Sequence, residues 1–393
     1  MSKRLVITRL GLFENRIFSG LFDDHSLLDL SCTPDNKDAI TVGDIYVAKV
    51  KQVNNSIDAC FVDIIPGFSS YLPFKEIVNP VFVKKQSEKK LISEEDEIIV
   101  QVTREPSGVK RASVSTDINI TGSFCFVSSG NTVLGVSKKI GKKKESLFKE
   151  HFKDLKPDEF GLVIRTNAAN TEMETVEEEA KSLFTELKKL LSTGVHKNCY
   201  SCLKKGLKPY IKDAVGLNTA DTECIVTDCE DIFKDLLSAG FEKERITLYK
   251  DDYSLDNLYS FSNQVKRALD NKVFLKSGGF LVIEKTEALW VVDVNSGKTD
   301  KKTDKSKSVM TVNKEAALEI SKQFKLRAMS GIIIIDFIDM ESKEDEEQLT
   351  LYMKELLKED STAGVVYGMT SLGLMEISRK KTKKPLLEVI SAQ

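Results

Sequence analysis

The sequence predicts a multidomain chain that combines α/β and α+β parts, with a small β-barrel near its start. Three observations carry this. At 393 residues the chain is too long for one ordinary core, which implies two to four domains. Five short β-like segments crowd into residues 40–118, the density of an OB-fold. Residues 274–393 alternate strand-like and helix-like stretches, as βαβ units with parallel neighbours do.

Residues 1–35 read as strands joined by polar turns (RLVITRL, NRIFSGLFD, HSLLDLS). The barrel segments are DIYVAKVKQV, DACFVDII, SSYLPFKEI, EIIVQVTRE and RASVST. Residues 119–215 mix strands with one clear helix, which aligns Val176, Ala180, Leu183, Leu187 and Leu190 on one face. EDIFKDLLSAG and LDNLYSFSNQVKRAL read as two further helices, the first capped by Gly240. In the last part FLVIEK and EALWVVDVNSG are strand-like. Thr311–Ser330 is helical, with Ala317, Ile320, Phe324 and Leu326 on one face and Gly331 past its end. GIIIIDFIDM predicts a strand buried on both faces. A helix over 341–358 and a strand at AGVVYGMT follow.

Composition narrows the function classes. With 41% hydrophobic and 30% charged residues the chain is globular rather than disordered. Net charge is −2, so the total gives no sign of a nucleic-acid binder. The basic runs Lys84–Lys90, Lys138–Lys144, Lys298–Lys307 and Arg379–Lys384 together favour a polyanionic partner, although each alone would suit a solvated face. Seven scattered cysteines suit a reduced, cytoplasmic protein. Cys199, Cys202, Cys224 and Cys229 are only loosely zinc-like in spacing and read as ordinary cysteines. MSKRLVITRL lacks the apolar stretch of a signal peptide, and no membrane span is expected.

The chemistry concentrates near the end. On the strand 288–295, side chains alternate, so Asp293 and Asn295 share a face at its C-terminal end. If the next strand is parallel, Asp336 emerges at the same sheet edge, where α/β folds bind ligands. Two carboxylates and an amide beside an apolar sheet call for a cation, and magnesium, which takes few carboxylates and keeps several waters, suits them. For Asn295-Ser296-Gly297 alone, a turn is the better reading. Asp339 reads as a helix cap or supporting group, because alternation points it to the opposite face.

Two sets of residues resemble known families. Gly43, Val47, Val50, Ala59, Phe61, Val62, Asp63, Gly67 and Tyr71-Leu72-Pro73 resemble the S1-type RNA-binding domain. WVVDVNSGK and GIIIIDFIDM resemble the two catalytic signatures of the ribonuclease E/G family. IRTNA, SGGFLVIEKTEAL and GLMEISRKKT extend that likeness over nearly the whole chain. The resemblance implies an RNase H-like subdomain from residues 1–39 and 217–273. Into it are inserted an S1-type OB-fold barrel (40–118) and a 5′-sensor domain (119–216), and a DNase I-like catalytic subdomain (274–393) follows.

It also implies roles. Asp293 and Asp336 bind magnesium and Asn295 supports them. Phe61, Tyr71 and Lys110 hold RNA, Tyr71 standing where the family usually has Phe. Arg165 and Thr166 sense a 5′-monophosphate, and Lys138 assists. By their own context Phe61 could equally fill the barrel core, Lys110 could be a plain surface lysine, and Arg165 could lie along a strand edge. The implied activity is endonucleolytic cleavage of single-stranded, A/U-rich RNA in rRNA processing and mRNA decay, leaving 3′-hydroxyl and 5′-phosphate ends. Family members often add a CPxC motif that shares zinc between protomers. None follows before Gln393, so a homodimer is compatible with the sequence but zinc-linked pairing is not expected. Competing readings are a non-catalytic RNA-binding protein, and a phosphoesterase for small molecules that would not need the barrel.

Overall fold

In the computed structural model the chain forms two compact units, one of residues 1–36 with 209–393, the other of residues 37–208. The structure describes residues 3–36, 39–88, 91–106, 110–216, 222–297 and 305–391, with the side chains of 222, 223 and 305–308 left aside. The run Lys298–Lys307 therefore lies outside the described side chains, as do Lys89 and Lys90.

The chain begins with the three expected strands, β1 (Lys3–Thr8), β2 (Arg16–Asp23) and β3 (Ser26–Pro34), an antiparallel meander. In the second unit come β4 (Ile45–Asn54), β5 (Ala59–Ile65), β6 (Phe68–Pro73), β7 (Phe82–Lys84), β8 (Glu97–Arg104) and β9 (Ser113–Ser115). β4, β5, β6, β9 and β8 pair in a ring that closes through β8 onto β4, a five-stranded barrel consistent with an OB-fold. Alternation explains its filling: Cys60, Val62, Ile64, Val100, Val102 and Val114 point inward and are buried.

The same unit continues with β10 (Asn119–Thr121), β11 (Cys125–Ser128), β12 (Leu134–Val136), α1 (Lys142–Phe152), β13 (Gly161–Ile164), α2 (Met173–Gly194) and β14 (Cys202–Lys204). α2 is the helix the sequence predicts, and it buries Val176, Ala180, Leu183 and Leu187. α1 escapes the sequence reading because its lysine-rich surface leaves only Phe148 and Phe152 buried.

Unit one resumes with α3 (Pro209–Gly216), β15 (Thr222–Thr227), α4 (Glu230–Ser238), β16 (Ile246–Leu248), α5 (Leu255–Tyr259) and α6 (Phe261–Leu269). β15 lies parallel to β1, giving the sheet order β16-β15-β1-β2-β3. Strands from the first 34 residues thus share a sheet with strands nearly 200 residues away. Gly240, at φ 91°, ends α4 as expected. The single helix expected over LDNLYSFSNQVKRAL is instead two, broken at Ser260, whose left-handed φ of 47° turns the chain so that Phe261 enters the core.

The last part forms a six-stranded sheet from β17 (Lys272–Phe274), β18 (Phe280–Lys285), β19 (Leu289–Asn295), β20 (Gly331–Asp336), β21 (Gly364–Met369) and β22 (Leu374–Arg379). Its order is β17-β18-β19-β20-β22-β21, with helices α7 (Lys305–Leu326), α8 (Lys343–Lys358) and α9 (Leu386–Ser391). β19 and β20 are parallel, as expected. The second parallel pairing is not formed. β22 inserts antiparallel between β20 and β21, because β21 and β22 make a hairpin whose second strand takes the place beside β20.

The sheet is covered on one side. Trp290, Val292, Val294, Ile333 and Ile335 pack with Val312, Ala316, Ile320 and Phe324 of α7 and Leu349 and Met353 of α8. Ile332 remains 54% exposed, which corrects the two-sided burial expected of GIIIID. Both helices lie over one face, so half of an apolar strand stays accessible. α7 also ends otherwise than expected: Ala328, not Gly331, takes the left-handed cap position (φ 51°), and the Met329 amide donates back to Phe324 O.

Candidate functional site

Strand alternation and register assemble the site. Trp290, Val292 and Val294 of β19 turn into the core, so Asp293 faces solvent and Asn295 is half-buried on the same side. In the parallel ladder Asp293 stands directly opposite Asp336. Asn295 Nδ2 donates to Asp293 Oδ2 (2.8 Å), fixing that carboxylate. Two like charges directly across a ladder destabilise it. Among the described residues no lysine or arginine forms an ion pair with either carboxylate. Partial burial, then the charges of Asp293 and Asp339, hold the Asp336 carboxyl above its ordinary range. An uncompensated acidic pair next to an amide fits a divalent cation that needs few protein oxygens. Among the described residues no group of three or more His, Cys, Asp or Glu side chains is placed to hold a metal ion.

The turns flanking this edge explain two glycine-containing motifs. A Cβ on Gly297 would meet Gly278 O at 2.3 Å, and one on Gly279 would meet Asn295 O at 2.6 Å. SGG and NSG are therefore pressed together; Asn295 is the last residue of β19, paired with Phe280, rather than part of the expected turn, and it holds Asp293. Asp339 does not cap α8; Ser342 does, accepting from the Asp345 amide. The strand ends at Asp336, so alternation no longer governs Asp339, and its charge acts on Asp336 instead.

Sequence reasoning missed the residue that positions this loop. Asn313 of α7 is 0% exposed, donates through Nδ2 to Ile338 O (2.9 Å) and accepts from the Ile338 amide through Oδ1 (3.1 Å). It clamps the backbone two residues after Asp336. The available signal was an amide beside Val312 on the apolar stripe of a helix. Arg379, taken from its sequence as part of a basic run, is instead buried. It pairs with Asp360 (2.7 Å) and donates to Met329 O (2.7 Å).

In the other unit, Phe61 and Tyr71 face each other across β5 and β6, with ring centroids 6.1 Å apart. Both are partly exposed while Cys60 and Val62 fill the core, so Phe61 lies outside the barrel interior. Lys110 is exposed, and it is the neighbouring Arg111 that lies over the Phe61 ring, 4.8 Å from its centroid, while donating to Ser69 Oγ. Nothing in the pattern distinguished Arg111 beforehand.

Arg165 and Thr166 follow β13, and Thr166 meets the segment that carries Lys138. Arg165 donates through one terminal nitrogen to Gly122 O (2.6 Å), and Glu179 of α2 accepts the amides of Ser123, Phe124 and Cys125 on the same loop. The Thr166 and Ser137 hydroxyls are 2.9 Å apart, and Lys138 follows Ser137 on the surface. The Ser137–Thr166 contact thus links the start of the segment that carries Lys138 to the segment that carries Arg165. Cys202 opens the barrel's added strand β14 and Cys199 precedes it by three residues; both are free thiols.

Comparison with known proteins adds to this geometry. The profile of the family described as "Ribonuclease E/G family" matches residues 119–382, about two thirds of the chain. A "Putative ribonuclease E" from Buchnera aphidicola (subsp. Baizongia pistaciae) is 28% identical over 98% of this chain and 97% of its own length. "Ribonuclease G" from Haemophilus influenzae is 29% identical over 89% of this chain and 74% of its own. "Ribonuclease E" from Escherichia coli is 27% identical over 98% of this chain, which spans only 37% of that protein.

Proposed function

Since the chain belongs to the ribonuclease E/G family, we propose that it is a magnesium-dependent endoribonuclease that cuts single-stranded, A/U-rich RNA and prefers 5′-monophosphorylated ends. The observation that supports this most is the in-register pair Asp293 and Asp336, with Asn295 bound to Asp293. In this reading the two aspartates hold magnesium through carboxylate oxygens. A magnesium ion held there would supply Lewis-acid chemistry, lowering the pKa of a bound water and offsetting phosphorane-like charge. Asn295 keeps the Asp293 carboxylate oriented, and Asp339 raises the local negative potential that favours a cation. Phe61 and Tyr71 stack bases of the single strand, with Lys110 and Arg111 beside them neutralising phosphates. Arg165, Thr166 and Lys138 receive the 5′-phosphate.

The subdomain assignment belongs to the same proposal. Residues 1–39 with 217–273 are RNase H-like, 40–118 an S1-type barrel, 119–216 a 5′-sensor and 274–393 DNase I-like. The setting would be RNA processing and decay in the cytoplasm. No helix among the described residues is long and apolar enough to cross a membrane. A cleavage assay tests the reading with one oligoribonucleotide carrying either a 5′-monophosphate or a 5′-hydroxyl, with and without magnesium. Cutting that needs magnesium and is faster on the monophosphate, with Arg165→Ala abolishing the difference, is expected. Equal rates without metal would defeat it.

A further inference from the structure

The edge of the catalytic sheet carries an aromatic step that the proposed mechanism leaves unused. β17 pairs with β18 so that Phe274 stands opposite Phe280 and Lys272 opposite Val282. β18 pairs with β19 so that Phe280 stands opposite Asn295 and Val282 opposite Asp293. Val273 and Leu281 turn into the core, which leaves Lys272, Phe274, Phe280 and Val282 on the face of Asp293 and Asn295. Phe274 is 73% exposed. Its ring centroid lies 6.4 Å from that of Phe280, and Lys272 Nζ sits 3.6 Å from the Phe280 centroid and 5.1 Å from that of Phe274. Phe280 is the diagonal neighbour of Asp293, about 7–8 Å away between Cα atoms. Accessible aromatic faces with a cation beside them are what a single strand uses to stack bases and neutralise phosphate.

We propose that Phe274, Phe280 and Lys272 form a base-stacking subsite for a nucleotide next to the phosphodiester cut at Asp293 and Asp336. The inference rests on the endoribonuclease reading. Phe280 and Phe274 are positioning residues: they hold the flanking base so that the phosphate meets the carboxylates, and Lys272 offsets that nucleotide's charge.

The test uses the full chain and a 5′-monophosphorylated oligoribonucleotide with one cut site, intact or with one abasic residue at each position near the cut. In the parent, one abasic position should lower kcat/KM roughly tenfold, chiefly through KM. The Phe274→Ala/Phe280→Ala double variant should lose a similar factor on intact RNA and show no further penalty at that position. Phe280→Trp should restore it. Trp290 fluorescence verifies that the alanine variants are folded, and circular dichroism does so for Phe280→Trp, which carries a second tryptophan. If the double variant keeps the parental abasic penalties, the subsite is disproved. It is equally disproved if the double variant loses only self-association, which would make the step an interface between copies. Loss of cutting by Asp336→Asn alongside parental kinetics in the phenylalanine variants would sink this inference alone. Parental cutting by Asp336→Asn would sink the placement of the cut at Asp293 and Asp336 on which this inference rests.

Discussion

Replacing Asn313 should damage both stability and catalysis, and the size of the first effect can be worked from the structure. Its amide makes two hydrogen bonds to the backbone of Ile338, one as donor and one as acceptor, from a fully buried position. Asn313→Leu removes both partners and leaves the Ile338 N–H and C=O unsatisfied. Each such group costs about 1–3 kcal/mol, so the pair costs about 2–6 kcal/mol, much of the roughly 5–15 kcal/mol that keeps a domain folded. Asn313→Asp keeps the acceptor for the Ile338 amide but turns a carboxylate oxygen toward the Ile338 carbonyl, so it should not rescue. The chain has one tryptophan, Trp290, buried in the same core, and its fluorescence reports urea unfolding of this unit without interference. The Leu variant should unfold at clearly lower urea. Assayed where it is still folded, it should cut RNA more slowly, because the loop after Asp336 has lost its anchor. An unfolding midpoint equal to the parent's would refute the clamp.

Other consequences are as specific. Asp360→Ala strands the Arg379 guanidinium in a buried site and should cost about 3–5 kcal/mol in the same fluorescence assay, whereas an effect under about 1 kcal/mol would show the pair to be solvated. Arg9 bridges Asp231 and Asp35, and its hydrogen bond holds the Asp231 carboxyl down at about 2. A depressed carboxyl stabilises the fold above its unfolded value, about 3.9, and loses that contribution as pH falls toward about 2. Parent and Asp231→Asn should therefore differ in urea midpoint at pH 6, the gap roughly halving by about pH 3 and closing only below about pH 2, and a gap constant with pH would contradict the assignment. Phe61→Ala and Tyr71→Ala should each weaken binding of a single-stranded oligoribonucleotide by about 1–3 kcal/mol, measured by fluorescence anisotropy, and unchanged affinity in both would remove the barrel from the RNA path.

Much of this was legible in the sequence because period-2 alternation is a local signal. The barrel strands and the exposure of Asp293 follow from which residues are apolar and at what spacing, and a helix between β19 and β20 predicts that the two run parallel. Whatever depends on which strand lands beside which was not. GIIIID reads the same whether a sheet is covered on one face or two, and only the placement of α7 and α8 on a single face leaves Ile332 accessible. β22 displaced the expected parallel neighbour of β20 because a hairpin's pairing is decided in three dimensions. Asn313 and Arg379 were opaque for the same reason: an amide or a guanidinium announces itself as polar, and only its buried partners make it structural. The direct opposition of Asp293 and Asp336 lies between these cases, with the face readable and the register not.

The central claim is that this opposed pair holds the metal on which cleavage depends. Single-turnover cleavage of a 5′-monophosphorylated oligoribonucleotide, followed across a magnesium titration for the parent, Asp293→Asn and Asp336→Asn, measures it most directly. The account predicts magnesium-dependent cutting by the parent. Each variant should bind the RNA as tightly yet cut it at least a hundredfold more slowly, about 2.7 kcal/mol of lost transition-state stabilisation. Either variant cutting at the parental rate and magnesium dependence would contradict it.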